Sequence, residues 1–112
     1  MRKAILILII LLPVTAGEAC YRVTDTDRNA LKIIQCESGW DYTAQNPNST
    51  AYGAGQFLDG TWNYVQKKWN IELDRYNKED QLYAMVRLLE EEGTRHWKAS
   101  AHCWDKDNIY KR

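Results

Sequence analysis

The sequence predicts a mostly α-helical fold with one irregular loop, and three observations carry that expectation. Apolar residues recur at helical spacing in three separate stretches, at residues 30–37, 62–69 and 82–89. A residue able to cap a helix stands before each of them: Thr24, Asp59 and Asn77. Between the first two stretches, Asn46-Pro47-Asn48-Ser49-Thr50 and then Gly53 and Gly55 favour turns over regular structure. A small β element is the most that stretch admits.

The 112 residues have room for one small domain. The start of the chain reads as a leader. Met1-Arg2-Lys3 is positive, residues 4–12 are an unbroken apolar run, Pro13 breaks it, and Ala16, Gly17 and Ala19 follow. That is the layout of a secretory signal peptide, taken here as residues 1–19, with a cut after Ala16 as the alternative. The apolar run is well short of the roughly 20 residues a spanning helix requires, which counts against an uncleaved anchor. The domain proper is residues 20–112, exported to the periplasm, cell envelope or extracellular space.

Removing Arg2, Lys3 and Glu18 takes the chain from 15 basic and 15 acidic side chains to 13 and 14. Without a basic excess or a charged tail, nucleic acid is not an expected partner, and the domain is read as a monomer. So small a core is marginal unless something staples it. Export permits disulfides, and three cysteines remain. Cys36 and Cys103 each sit in an apolar, tryptophan-flanked stretch, so they are paired. Cys20 is left at the start of the mature chain as a free or intermolecular thiol. Lipidation is its alternative, but Gly17-Glu18-Ala19 lacks the apolar residue usual three positions before a lipidated cysteine.

The first helix follows the cap residues of the Thr24-Asp25-Thr26-Asp27 run. Ala30, Ile33, Ile34 and Glu37 lie on one face of it, with Leu31 widening that face, and Gly39 ends it. The second runs over residues 60–69 with Asp59 as its cap and Trp62, Val65 and Trp69 inward. The third spans residues 78–92. Asn77 and Asp80 resemble a capping box, and Leu82, Met85, Val86 and Leu89 form the inward stripe beside Tyr83 and Leu88. Glu90-Glu91-Glu92 reads as a solvated acidic end. A short last helix carries Trp97, Ala101 and Trp104 on one side, and residues 105–112 read as a polar tail.

Glu37 continues the buried side of its helix. A carboxyl against apolar surface is costly to ionise, so its pKa rises, which suits a proton donor at neutral pH. The plain alternative is a solvated glutamate at a helix end. Two-carboxylate glycosidases hold their acids about 5–10 Å apart across the scissile bond. Here the only candidates for a partner are Asp41, beyond Gly39, and Asp59, better used as a cap. One carboxyl alone can still cleave a muramyl linkage, first as acid toward the leaving oxygen and then as base toward the sugar's own 6-hydroxyl. His96, His102 and Cys103 lack a sensibly spaced fourth metal ligand, so neither a metal nor another cofactor is expected. A Cys36–His nucleophile is set aside because an exported cysteine with a partner is oxidised.

Cys36-Glu37-Ser38-Gly39-Trp40, Ala51-Tyr52-Gly53-Ala54-Gly55-Gln56-Phe57 and Thr61-Trp62, in that order and spacing, resemble the lysozyme-like transglycosylase domain. The likeness is to its resuscitation-promoting-factor branch and to small soluble lytic transglycosylases. It extends to residues 77–81 and 97–104, and so over nearly all of the mature chain. The resemblance implies a lysozyme-like fold acting on peptidoglycan glycan strands at the bond between N-acetylmuramic acid and N-acetylglucosamine, leaving 1,6-anhydro ends. It gives Glu37 the role of the catalytic acid, and Tyr52, Gln56 and Thr61 positions along the sugar groove. The resuscitation-promoting branch also carries a disulfide matching Cys36 with Cys103. The insert at residues 46–50 is closer to the soluble lytic transglycosylases. A hydrolytic muramidase and an inactive wall-binding module are the rival readings.

Overall fold

The computed structural model describes residues 23–106. The signal segment, Cys20 and the last residues of the expected tail lie outside the described residues. Within them the chain is mostly helical: α1 (Asp25–Glu37), α2 (Asp59–Trp69), α3 (Lys78–Glu92), a 3₁₀ helix η1 (Arg95–Ser100) and a single turn, α4 (Ala101–Trp104).

Thr24 starts α1 with a full capping box. Its hydroxyl accepts from the Asp27 N–H at 3.1 Å, and the Asp27 carboxylate accepts from the Thr24 N–H at 2.9 Å. Ala30, Ile33 and Ile34 are buried, and burying an isoleucine contributes about 1.5–3 kcal/mol. The helix stops after Glu37. Gly39 then turns the chain at φ 63°, a left-handed backbone that suits glycine.

The loop from 40 to 57 contains no regular strand. Tyr52 makes isolated antiparallel bridges to Gln45 and to Phe57, so the expected β element amounts to two rungs. Ala54 and Gly55 press onto α3. The Ala54 N–H donates to Gln81 Oε1 at 2.9 Å, and Gln81 Nε2 donates to the carbonyls of Tyr42 and Arg75, each at 2.9 Å. From the other side Ser38 Oγ donates to the Ala54 carbonyl at 2.8 Å, and Trp97 Nε1 to the Gly55 carbonyl at 2.9 Å. Gly53, at φ 88°, has no room for a side chain. A Cβ there would lie 2.6 Å from Gln81 Oε1.

Helix α2 begins one residue earlier than expected, with Leu58 at the cap position and no side-chain capping bond. Asp59 therefore lies in the first turn, where its charge favours the helix N-terminus. Its N–H donates to Thr50 Oγ1 at 3.0 Å, and its carboxylate pairs with Arg75. Trp62, Val65 and Trp69 face the core. Phe57 packs edge-on against both Trp62 and Trp97 at centroid distances of 5.3 and 5.8 Å, an arrangement that aromatic quadrupoles favour.

Helix α3 differs from the expected pattern in three ways. Asn77 caps it through the Asp80 N–H, but the Asp80 carboxylate accepts from the Asp74 N–H instead of completing a box. The inward residues are Gln81, Ala84, Met85, Leu88 and Leu89, whereas Leu82 and Val86 are only half-buried and Tyr83 is exposed. The stripe is turned because Gln81 goes inside to satisfy the loop. Nor is the acidic end merely solvated. Glu91 accepts from Trp69 Nε1 at 2.8 Å and pairs with Lys68 and Arg87. Glu92 accepts from Tyr64 OH at 2.5 Å and Lys68 Nζ at 2.6 Å, and also binds Arg95 and His96. These donors hold Glu91 down at about 2 and Glu92 well below the ordinary carboxylate range.

Trp97 breaks regular helical geometry inside η1, and it and Trp104 are buried against α1 and the loop. A disulfide joins Cys36 on α1 to Cys103 on α4. Asp105 is buried, so of the expected tail at least its first residue belongs to the packed body.

Candidate active site

The end of α1, the loop, the start of α2 and η1 enclose a groove of about 250 Å³. Glu37, Asn46, Ser49, Gln56, Thr61 and His96 supply its polar side chains. Ala51, Phe57, Leu58 and Trp97 supply most of its apolar wall. The structure thus brings Glu37, Gln56 and Thr61 to one place. Tyr52 does not line this groove. Its ring packs edge-on against Tyr76 at 5.0 Å and lies beneath the Arg75 guanidinium.

Glu37 reaches the groove because it is the last residue of α1 on the side that carries Ala30, Ile33 and Ile34 inward. It is half-buried, and burial pushes its carboxyl above the ordinary glutamate value. A hydrogen bond from Ser100 Oγ to Oε2, at 2.5 Å, acts in the opposite direction and is the smaller effect. Such a carboxyl keeps its proton to higher pH than a solvated one and can deliver it to an oxygen bound in the groove.

Gln56 sits at a positive φ of 53°. Both hydrogens of its side-chain amide are committed, at 3.0 Å each, to the carbonyls of Ala44 and Gly53. What it can offer a ligand is its carbonyl oxygen, an acceptor for a hydroxyl or an amide N–H. Thr61, half-buried in the first turn of α2, can both donate and accept.

Asp41 and Asp59 do not line the groove. Asp41 accepts from the Thr43 N–H and hydroxyl at 2.9 and 2.8 Å, bonds that hold its carboxyl below the usual value, and Asp59 is bound to Arg75. Among the described residues no three His, Cys, Asp or Glu side chains gather as metal ligands would. His96 is held at 2.7 Å by Glu92, and Cys103 is in the disulfide.

Ser100, Asn46, Ser49 and His96 stand at the site without having been read from sequence as parts of it. For Ser100 a signal existed. If Cys103 bonds Cys36, the residue one turn before Cys103 faces the residue next to Cys36, which is Glu37.

The family model for the transglycosylase-like domain matches residues 24–100, more than half of the chain, from the cap of α1 to Ser100. No curated protein and no solved structure matches it. The chain belongs to the transglycosylase-like domain family, and with it to the enzymes that act on peptidoglycan.

Proposed function

We propose that this chain is an exported lytic transglycosylase that cleaves between N-acetylmuramic acid and N-acetylglucosamine with Glu37 as its single acid and base. The observation that carries the reading is the pairing of a half-buried carboxyl of raised pKa with a groove of mixed polar and apolar lining, whose neighbouring aspartates are engaged elsewhere. In the first step the Glu37 proton passes to the leaving oxygen of N-acetylglucosamine as its bond to the muramyl anomeric carbon breaks. The substrate's own N-acetyl oxygen bonds to that carbon and shares the positive charge. In the second step the Glu37 carboxylate takes the proton of the muramyl 6-hydroxyl, whose oxygen displaces the acetamido oxygen. The product is a 1,6-anhydro sugar, and Glu37 ends protonated, ready for the next bond.

Gln56, through its carbonyl oxygen, and Thr61 are assigned to the glycan strand, and Tyr52 to an outlying sugar contact. The Cys36–Cys103 bond fits a protein that works in an oxidising compartment. The test is Glu37→Gln. It keeps shape and an acceptor for Ser100 but has no proton to give, so fragment release from purified cell walls falls to background. A raised folded pKa means that ionising Glu37 opposes folding as pH rises, so at neutral pH the variant melts no lower than the parent. Undiminished release by Glu37→Gln would remove Glu37 from the chemistry.

A further inference from the structure

We propose that Ser100 is a positioning residue that makes the two oxygens of Glu37 unequal, holding Oε2 as a fixed acceptor so that the proton is carried and exchanged at Oε1. The inference rests on the acid–base role proposed for Glu37.

Ser100 Oγ lies 2.5 Å from Glu37 Oε2, the nearer and the charged one of the two acceptors within its reach. The other acceptor, the Trp97 carbonyl, is 3.1 Å away. Ser100 also receives a hydrogen bond, from Trp104 Nε1 at 3.1 Å. Trp104 is 4% exposed, and its one indole N–H is shared between Ser100 Oγ and the Trp97 carbonyl, each at 3.1 Å. A donor feeding into Oγ polarises the O–H toward the carboxylate, as hydrogen-bond chains do in a poorly solvated site. The chain runs Trp104 Nε1–H to Ser100 Oγ–H to Glu37 Oε2.

Its elements are braced together. Glu37 follows Cys36 directly, and Ser100 precedes Cys103 by one turn, so the disulfide fixes the spacing between donor and acceptor. With Oε2 occupied, Oε1 bears the proton in the acid step and receives the 6-hydroxyl proton in the base step. Ser100 donates to Oε2 in both states, and the carboxyl does not have to turn over between them. A hydrogen bond to the charged form is the stronger one, so Ser100 favours the carboxylate and limits how far burial raises Glu37.

The experiment compares Ser100→Ala, Ser100→Thr and Ser100→Cys for steady-state release of wall fragments. The Glu37 carboxyl is titrated in each by carbon NMR, its resonance identified by its absence in Glu37→Gln. His96 is the other titratable side chain lining the groove, and Glu92 holds it at 2.7 Å. Ser100→Ala is expected to lower kcat roughly 10- to 100-fold with KM within about twofold, as for loss of one bond to a charged group. The Glu37 midpoint moves up, because the bond that lowers it is gone. Ser100→Thr, which keeps the hydroxyl, recovers most of the rate, and Ser100→Cys, a weaker donor of similar size, falls between. Unchanged kcat and midpoint in Ser100→Ala overturn the proposal, as does a rate loss that tracks lost folding and is not recovered by threonine. If Glu37→Gln is fully active, the reading of the site itself fails. If Glu37→Gln is inactive while Ser100→Ala is normal, only this inference fails.

Discussion

Replacing Gln81 with leucine would separate packing from hydrogen bonding at the centre of this fold. Gln81 is 3% exposed and ties α3 to the loop through three bonds of 2.9 Å, from the Ala54 N–H and to the carbonyls of Tyr42 and Arg75. Leucine fills similar volume and is the better helix former, so shape and propensity predict little change. The hydrogen bonds predict a large one. Ala54 is 1% exposed, so water cannot replace the lost acceptor, and a buried donor left unmade costs about 1–3 kcal/mol. Tyr42 and Arg75 are only half-buried, and their carbonyls can recruit water at about 0.5–1 kcal/mol each. The total is about 3 kcal/mol, a large part of the roughly 5–15 kcal/mol that holds a small domain folded. At about 4–8 °C per kcal/mol for a domain of this size, thermal melting followed by circular dichroism should shift down by roughly 12–24 °C. Gln81→Glu supplies an internal check. Ionised, it sets a carboxylate against two carbonyls, whereas protonated it can donate to one. Its folded pKa is therefore raised, so its stability relative to the parent is greatest below pH of about 4 and falls as pH rises through that folded value. A Gln81→Leu protein that melts within about 3 °C of the parent would refute the assignment of this residue as the loop's anchor.

The Cys36–Cys103 bond closes a loop with a sequence separation of 67, for which chain entropy gives about 4 kcal/mol. Replacing both cysteines with serine, or reducing the native protein, should lower the melting point by roughly 15–30 °C, and free thiols titrating at Cys36 and Cys103 in the untreated protein would show the bond absent. Glu92 binds Lys68, Tyr64, Arg95 and His96, and its depressed pKa stabilises the fold above the ordinary glutamate value and is lost as pH falls through the folded one. Acid titration of stability below pH of about 4.5 should thus be shallower in Glu92→Gln than in the parent, and identical slopes would contradict the cluster's role.

Local periodicity was enough for α1. The spacing of Ala30, Ile33, Ile34 and Glu37 gave both the helix and the side on which the glutamate lies. The same rule misjudged α3, because Gln81 is buried by bonds to backbone atoms of a loop distant in sequence, and no hydropathy pattern registers them. It misjudged Glu91 and Glu92 for a related reason. Their partners Lys68, Tyr64 and Trp69 are on α2, and a helix-end rule counts only the charge. The groove was legible in Glu37, Gln56 and Thr61 through the order of motifs. Ser100 was hidden, since a serine between two alanines carries no signal until the Cys36–Cys103 pairing sets it one turn from Glu37. Tyr52 shows the opposite case. A motif marks it, and its ring packs against Tyr76 outside the groove.

The central claim is that one carboxyl performs both proton transfers. Its most direct test is the mass of the muramyl ends released from purified peptidoglycan by the mature protein, with Glu37→Gln as the blank. Ends that carry the 1,6-anhydro ring, absent from the blank, are the predicted result. Ends heavier by one water would contradict it and point to a hydrolytic muramidase that positions water by a second group.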